Sequence, residues 1–176
     1  CDTALLLAFK DGRPVGRVMG IINHRFNEHR NERTARFGYL DVCEDREAFT
    51  ALLRAVEAWA RDRGMTKIVG PYGFSDQDPE GFLIEGFEHR ATIATYYNFE
   101  WMPKFLEEDG YAKDIDWVEF QVETPAAIPD KVLRVNEILA KRSGVRVIEW
   151  KNKKELLAKY ADQIFELLDE GYAQLY

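Results

Sequence analysis

The stretch Val42-Cys43-Glu44-Asp45-Arg46-Glu47-Ala48-Phe49-Thr50-Ala51-Leu52-Leu53 constrains the fold more than any other. It reads as the end of a strand running through a tight turn into an amphipathic helix. Phe49, Leu52, Leu53, Val56 and Trp59 recur at helical spacing, Asp45 is placed to cap the helix, and Gly64 to stop it. A strand feeding a helix in this way commits the chain to a layered α/β architecture. In many such folds the free N–H groups at that helix start hold a phosphate. Here the turn has no glycine and carries Glu44, Asp45 and Glu47 against Arg46 alone. Carboxylates compete with a bound anion for the positive end of the helix dipole.

The elements around this unit are set by pattern. Ala4 to Phe9 is a continuous apolar run, as expected of a strand covered on both faces. Lys10-Asp11-Gly12-Arg13 carries an Asp-Gly turn signal, so Pro14 to Asn23 pairs back as a hairpin. His24 to Arg33 reads as a charged connection, and Ala35 to Val42 as a third strand. After the helix come a short buried strand, Lys67 to Gly70, and a Gly-rich aromatic loop, Tyr72 to His89. A short helix, Met102 to Asp109, and a last strand, Asp116 to Glu123, complete the series. Pro125 and Pro129 mark a linker, beyond which Asp130 caps a further helix. Val145 to Trp150 then reads as a strand before a long amphipathic helix with Leu156, Leu157, Tyr160, Ile164, Leu167 and Leu168 aligned.

Bulk properties exclude several classes. A hydrophobic content of 46% with 13% aromatics argues for a folded core and against disorder. A net charge of −7 argues against nucleic acid or an anionic membrane surface as partner. No apolar run approaches the roughly 18 residues of a membrane span, and no secretory signal is visible, so the expected location is cytoplasmic. The chain opens on Cys1-Asp2-Thr3 next to a strand and closes on an apolar helix without a stop signal, which reads as a piece of a longer protein.

His24, Glu28, His29 and Glu32 invite a metal-site reading, but histidines five apart do not share a helix face, and a solvated loop is the better account. Ser75 lacks the glycine that a nucleophile elbow needs, and Ser143 reads as part of a helix stop. Cys43 reads as a small buried side chain ending its strand. Tyr96, Tyr97, Phe99 and Trp101 form an aromatic group beside Asn98. Such groups are mostly core, yet aromatics with a few polar groups also line small-ligand pockets. The loop Phe74 to Gly81 is too polar for core and long for a connection.

The order hairpin, strand, helix, strand, helix, strand resembles the GNAT superfamily of N-acyltransferases. Lys10-Asp11-Gly12-Arg13-Pro14-Val15-Gly16 is similar to the family's second-to-third strand hairpin. Thr50-Ala51-Leu52-Leu53 with Arg61 to Ile68 is similar to its central helix and the next strand, and Phe105 to Tyr111 to the short helix ending at a Gly-Phe turn. Gly70-Pro71-Tyr72-Gly73-Phe74-Ser75 and Gly81 to Phe87 resemble a bacterial branch of GNAT-like proteins about twice this length, in which a second such domain comes after the first. The resemblance implies a mixed, mainly antiparallel sheet with a central helix on one face, splayed open between Tyr39–Val42 and Ile68–Gly70 where an acyl-CoA arm inserts. It also implies a domain over 1–123, lacking the family's first strand and helix, a connection over 124–144, and the opening of a second GNAT-like domain over 145–176. That second domain, or a second copy in a homodimer, is the implied partner.

Active members carry Arg/Gln-x-x-Gly-x-Gly/Ala before the central helix to bind the pyrophosphate. The aligned positions here are Glu44, Glu47 and Phe49, and the family's acid tyrosine aligns with Leu106. Two function classes remain open: acyl-CoA-dependent N-acyl transfer to an amine through a degenerate pyrophosphate turn, or a non-catalytic ligand-binding or supporting domain. For the first, the cofactor is acetyl-CoA or another acyl-CoA, held by the backbone of Asp41, Val42 and Cys43. The expected cleft lies between these and the loop Phe74–Gly81. Tyr97 is the candidate catalytic residue, and Phe74, Ser75, Asp78, Asn98 and Trp101 are the candidate substrate contacts.

Overall fold

The Asp-Gly turn folds the chain back on itself, and the sheet grows from that hairpin. In a computed structural model that describes residues 1–75, 77–92, 95–144 and 148–172, β1 (Asp2–Lys10) pairs antiparallel with β2 (Arg13–Ile22). Asp11 and Gly12 both take positive φ, as a tight hairpin turn requires. A seven-residue helix, α1 (His24–Arg30), leads into β3 (Thr34–Val42), which pairs antiparallel with β2. The central helix α2 (Arg46–Arg61) crosses to β4 (Lys67–Val69), parallel to β3. The result is an open, mixed four-stranded sheet in the order β1-β2-β3-β4. A short helix, α3 (Trp101–Glu108), comes after the long loop.

The core lies between the sheet and α2. Val18, Phe37, Leu40, Phe49, Leu52, Leu53, Val56 and Met102 are all buried there. Glycines let helix and sheet approach: a Cβ on Gly20 would meet the Trp59 ring at 3.0 Å, and one on Gly16 would meet Leu52 at 2.9 Å.

Two pairing irregularities give β3 its special character. Arg17 pairs with Asp41 but Met19 pairs with Gly38, so Tyr39 and Leu40 together oppose Val18. This is a β-bulge, and Tyr39 takes φ 51 there. The second irregularity is where β4 stops. Its pairing with β3 ends at Arg36–Val69, and Tyr72 N–H donates to Phe37 O at 2.8 Å as the last link. From Gly38 to Val42, no strand among the described residues covers that edge of β3.

Several sequence expectations are corrected here. The connection His24–Arg33 contains α1, because Asn23 caps it by accepting from Phe26 N–H, and Asn31 closes it in the left-handed region. The first strand is covered on one face only: Leu6 and Ala8 join the core, while Leu5, Leu7 and Phe9 are 75%, 61% and 62% exposed. It is the edge strand, and α2 reaches only its even-numbered side. Residues 116–123 form no strand. Asp130 is the first residue of its helix rather than its cap, which is Pro129.

The chain divides into two units, Cys1–Asp116 and Trp117–Tyr176. The second holds α4 (Asp130–Ser143), closed by left-handed Gly144, and α5 (Lys153–Tyr172). On α5, Leu156 and Tyr160 are half-buried, whereas Ile164 and Leu168 are exposed. The expected strand Val145–Trp150 falls partly outside the described residues; 148–150 are not in a strand. Among the described residues, no helix is long and apolar enough to cross a membrane.

Candidate functional site

The uncovered edge of β3 is one wall of a cleft of about 540 Å³. Leu40, Asp41 and Val42 line it from β3, Cys43 from just beyond its end, and Pro14 to Arg17 from β2. Leu7 lines it from β1, Met102 from α3, and Tyr96 to Phe99 close the far side. Cys43 N–H donates to Val15 O at 2.8 Å, on the β2 side. By strand alternation the N–H and C=O of Val42 therefore face away from β2, along the open edge. An extended ligand laid there meets backbone donors and acceptors as a further strand would.

The lining is mainly apolar, with one ion pair on it. Arg17 and Asp41 are direct cross-strand neighbours, bridged at 2.6 Å with both side chains more than half exposed. Such a pair contributes little to stability and leaves both charges accessible to a solute.

The turn before α2 is built differently from what its sequence alone suggests. Asp45 caps the helix by accepting from Ala48 N–H at 3.1 Å. Lys10, from the hairpin, approaches the same carboxylate at 2.6 Å. Arg46, the one cation of the turn, is drawn away from it: it binds Asp109 in a fork at 2.8 and 3.0 Å and donates to Phe105 O. Phe49, expected to obstruct the turn, is fully buried in the core, edge-on to Trp101 and Phe105. The helix N-terminus is thus already occupied by a carboxylate of its own chain. The hydrogen bond from Lys10, and after it that from Ala48 N–H, holds the Asp45 carboxyl below the ordinary value of 3.8. A lowered carboxyl contributes stability above its unfolded value and loses it as pH falls through the folded one. Protection of the Ala48 amide, taken as exchange relative to its intrinsic rate at each pH, is therefore expected to fall on acidification through that range, and Asp45→Asn to leave that protection flat with pH. Identical acid profiles for the two proteins would refute this account of the cap.

The sequence candidates separate into two places. Asp41, Val42, Cys43, Tyr97 and Asn98 line the one cleft. Cys43 is exposed rather than buried, because the bulge turns it to the face away from α2. Asn98 is the buried member of its group: it accepts from Leu83 N–H at 2.6 Å and donates to Leu83 O and Phe99 O, so its amide holds the loop. Tyr97 is 54% exposed and donates to Phe87 O at 2.8 Å. Tyr97 and Phe99 are thus exposed rather than core aromatics. Trp101 stacks on Phe99 and does not line the cleft.

Phe74, Ser75 and Asp78 lie apart from the cleft, whose far wall is the loop Tyr96–Phe99 rather than Phe74–Gly81. Asp78 accepts from the N–H groups of Phe74 and Ser75 at 2.7 and 3.2 Å, and from the Tyr39 hydroxyl at 2.9 Å. That hydrogen bond, then burial, raises the Tyr39 phenol. The bulge is thereby tethered to the loop.

Of the residues that line the cleft, sequence reasoning left out Arg17, and it named Tyr96 only as one of the aromatic group. Arg17 carried a signal, a lone charge inside an otherwise apolar strand; Tyr96 had none to set it above Tyr97.

No family model matches the chain, and no solved structure matches it. Two curated relatives do. Protein YghO of Escherichia coli (strain K12) is 27% identical over 167 residues, 94% of this chain and 42% of the relative. A protein of Caulobacter vibrioides (strain NA1000 / CB15N) named bacterial ceramide synthase is 31% identical over 130 residues, 73% of this chain and 34% of the relative. The chain therefore spans less than half the length of either.

Proposed function

We propose that this chain is a GNAT-like acyltransferase domain of a longer protein, with a cleft that receives the acyl group of a thioester donor and presents it to an amine. The cleft carries the reading. It opens where β4 leaves β3, its walls are mainly apolar, and an accessible carboxylate, Asp41, stands on them. An acyl chain gains about 0.8 kcal/mol per buried CH₂ on such walls. On this reading the Val42 N–H and C=O, which face the open edge between Asp41 and Cys43, serve the donor's amide groups, and Asp41 offers the charge for an ammonium acceptor. The name of the Caulobacter vibrioides relative supports amide-forming acyl transfer, since ceramide is an N-acylated amino alcohol. On this reading residues 145–176 open a second domain of the same kind.

The second reading, a domain that binds a ligand or supports its neighbour without catalysis, is favoured by the carboxylate of Asp45 on the α2 N-terminus. The same feature sets the expected result of a calorimetric test. Acetyl-CoA, which offers mainly its nucleotide and pyrophosphate, is expected to bind these 176 residues no tighter than about 1 mM, and a long-chain acyl-CoA to bind the full-length protein at least about tenfold tighter. Micromolar acetyl-CoA affinity for the 176 residues would overturn the account of the turn. Absence of acyl-CoA binding by the full-length protein would leave the second reading.

A further inference from the structure

Two tyrosines stand side by side on the far wall of the cleft, and their hydroxyls have different fates. Tyr97 donates to the Phe87 carbonyl at 2.8 Å. Tyr96 lines the same cleft with its ring half-buried, and among the described residues its hydroxyl meets no protein hydrogen-bond partner. The other hydroxyl near this end of the cleft, that of Tyr39, donates to Asp78. One phenol is left over, and the wall it faces is the open edge of β3.

We propose, resting on the acyl-transfer reading above, that Tyr96 is a catalytic residue: its hydroxyl donates to the carbonyl oxygen of the acyl thioester seated against Asp41–Cys43. As the amine attacks, the N–C bond forms and the carbonyl π electrons move onto oxygen, where the Tyr96 O–H meets the growing negative charge. When they return, the C–S bond breaks and the electron pair leaves on sulfur. The proton lost by the attacking nitrogen passes through water to the thiolate, giving amide and free thiol. Tyr96 keeps its own proton throughout.

The surroundings suit that role. Burial, and then Asp41, raise the Tyr96 phenol, with Arg17 opposing and Tyr39 adding a smaller rise. A phenol held above its ordinary range stays protonated and remains a donor, and a donor preset in a partly desolvated cleft is worth more than one in water. Asp41 is placed to serve twice, by keeping Tyr96 protonated and by attracting the ammonium form of the acceptor.

The test is made in the full-length protein with palmitoyl-coenzyme A and a long-chain amino alcohol, by measuring release of thiol. Tyr96→Phe is expected to lower kcat by about 100-fold, the usual loss for one such donor, with KM for the acyl donor within about twofold. Tyr97→Phe is expected to lower kcat by less than about fivefold. Tyr96→Phe should keep the wild-type melting temperature, since its hydroxyl has no hydrogen-bond partner among the described residues, whereas Tyr97→Phe removes the bond to Phe87 O and is the variant expected to cost stability. Wild-type kcat in Tyr96→Phe, or the larger loss in Tyr97→Phe, would overturn this assignment and leave the acyl-transfer reading standing. A wild-type protein that releases no thiol would sink both, whether or not it binds the donor.

Discussion

Phe49→Ala is expected to lower the free energy of unfolding by about 3–5 kcal/mol, the range for emptying a fully buried phenylalanine site. The ring is fully buried and edge-on to Trp101 and Phe105, with ring centroids 6.2 and 5.6 Å away. Those two residues belong to α3, so the same ring joins the central helix to the helix after the long loop. Urea unfolding monitored by tryptophan fluorescence measures the change, and a loss below about 1 kcal/mol would mean the site collapses around the gap. The result bears on function as well. Rebuilding an acyltransferase turn by placing glycines at Glu47 and Phe49 would remove the core residue before any phosphate was gained. The aromatic at position 49 is thus a structural commitment of this chain.

The second large effect is expected at Arg36. Its side chain is nearly fully buried and its guanidinium lies between the Phe26 and Tyr72 rings, 4.5 and 3.9 Å from their centroids. It donates to the carbonyls of Gly73 and Phe74, both at 3.1 Å. Arg36→Met keeps most of the volume and removes every donor, leaving two loop carbonyls without this partner. Those carbonyls and the stacked cation together set an expected loss of about 2–4 kcal/mol. Faster amide exchange in residues 72–78 is expected before any global unfolding. A variant as stable as the wild type would show that the cation is dispensable and that the rings alone hold the loop.

The elements legible in the sequence were those fixed by local chemistry. The spacing of Phe49, Leu52, Leu53 and Val56 gives α2, and Asp11-Gly12 gives the hairpin, because each signal is complete within a few residues. α1 was obscured because His24 to Arg33 is charged throughout; its stability comes from the Asn23 cap and from Asn27, whose amide bonds both ways to Thr34. The site was legible only in part, because what defines it is not local. Lys10 reaches Asp45 across 35 positions, and Arg46 reaches Asp109 across 63. No spacing rule shows that the first charge is answered from the hairpin and the second from the end of α3. Asp41, Val42 and Cys43, legible as a strand end, do line the cleft, whereas the polar groups of Ser75 and Asp78 are engaged within their own loop and with the Tyr39 hydroxyl. Tyr96 and Tyr97 both line the cleft and differ in that the Tyr97 hydroxyl donates to Phe87 O, a partner 10 positions away that no local pattern reveals.

The bulge at Tyr39–Leu40 makes β3 a strand with two parities. Before it, Phe37 points to the α2 face; after it, Leu40 and Val42 do, and Asp41 and Cys43 point the other way. An uninterrupted strand would carry the odd positions to the α2 face along its whole length, burying a carboxylate and a thiol under the helix while turning Leu40 and Val42 to solvent. The cleft therefore depends on a count as well as on a composition. Tyr39 is the extra residue in that count: deleting it would let Gly38 and Leu40 run on as a regular strand with Leu40 and Val42 still toward α2, whereas inserting a residue after Leu40 without a second bulge would reverse the faces of Asp41 and Cys43.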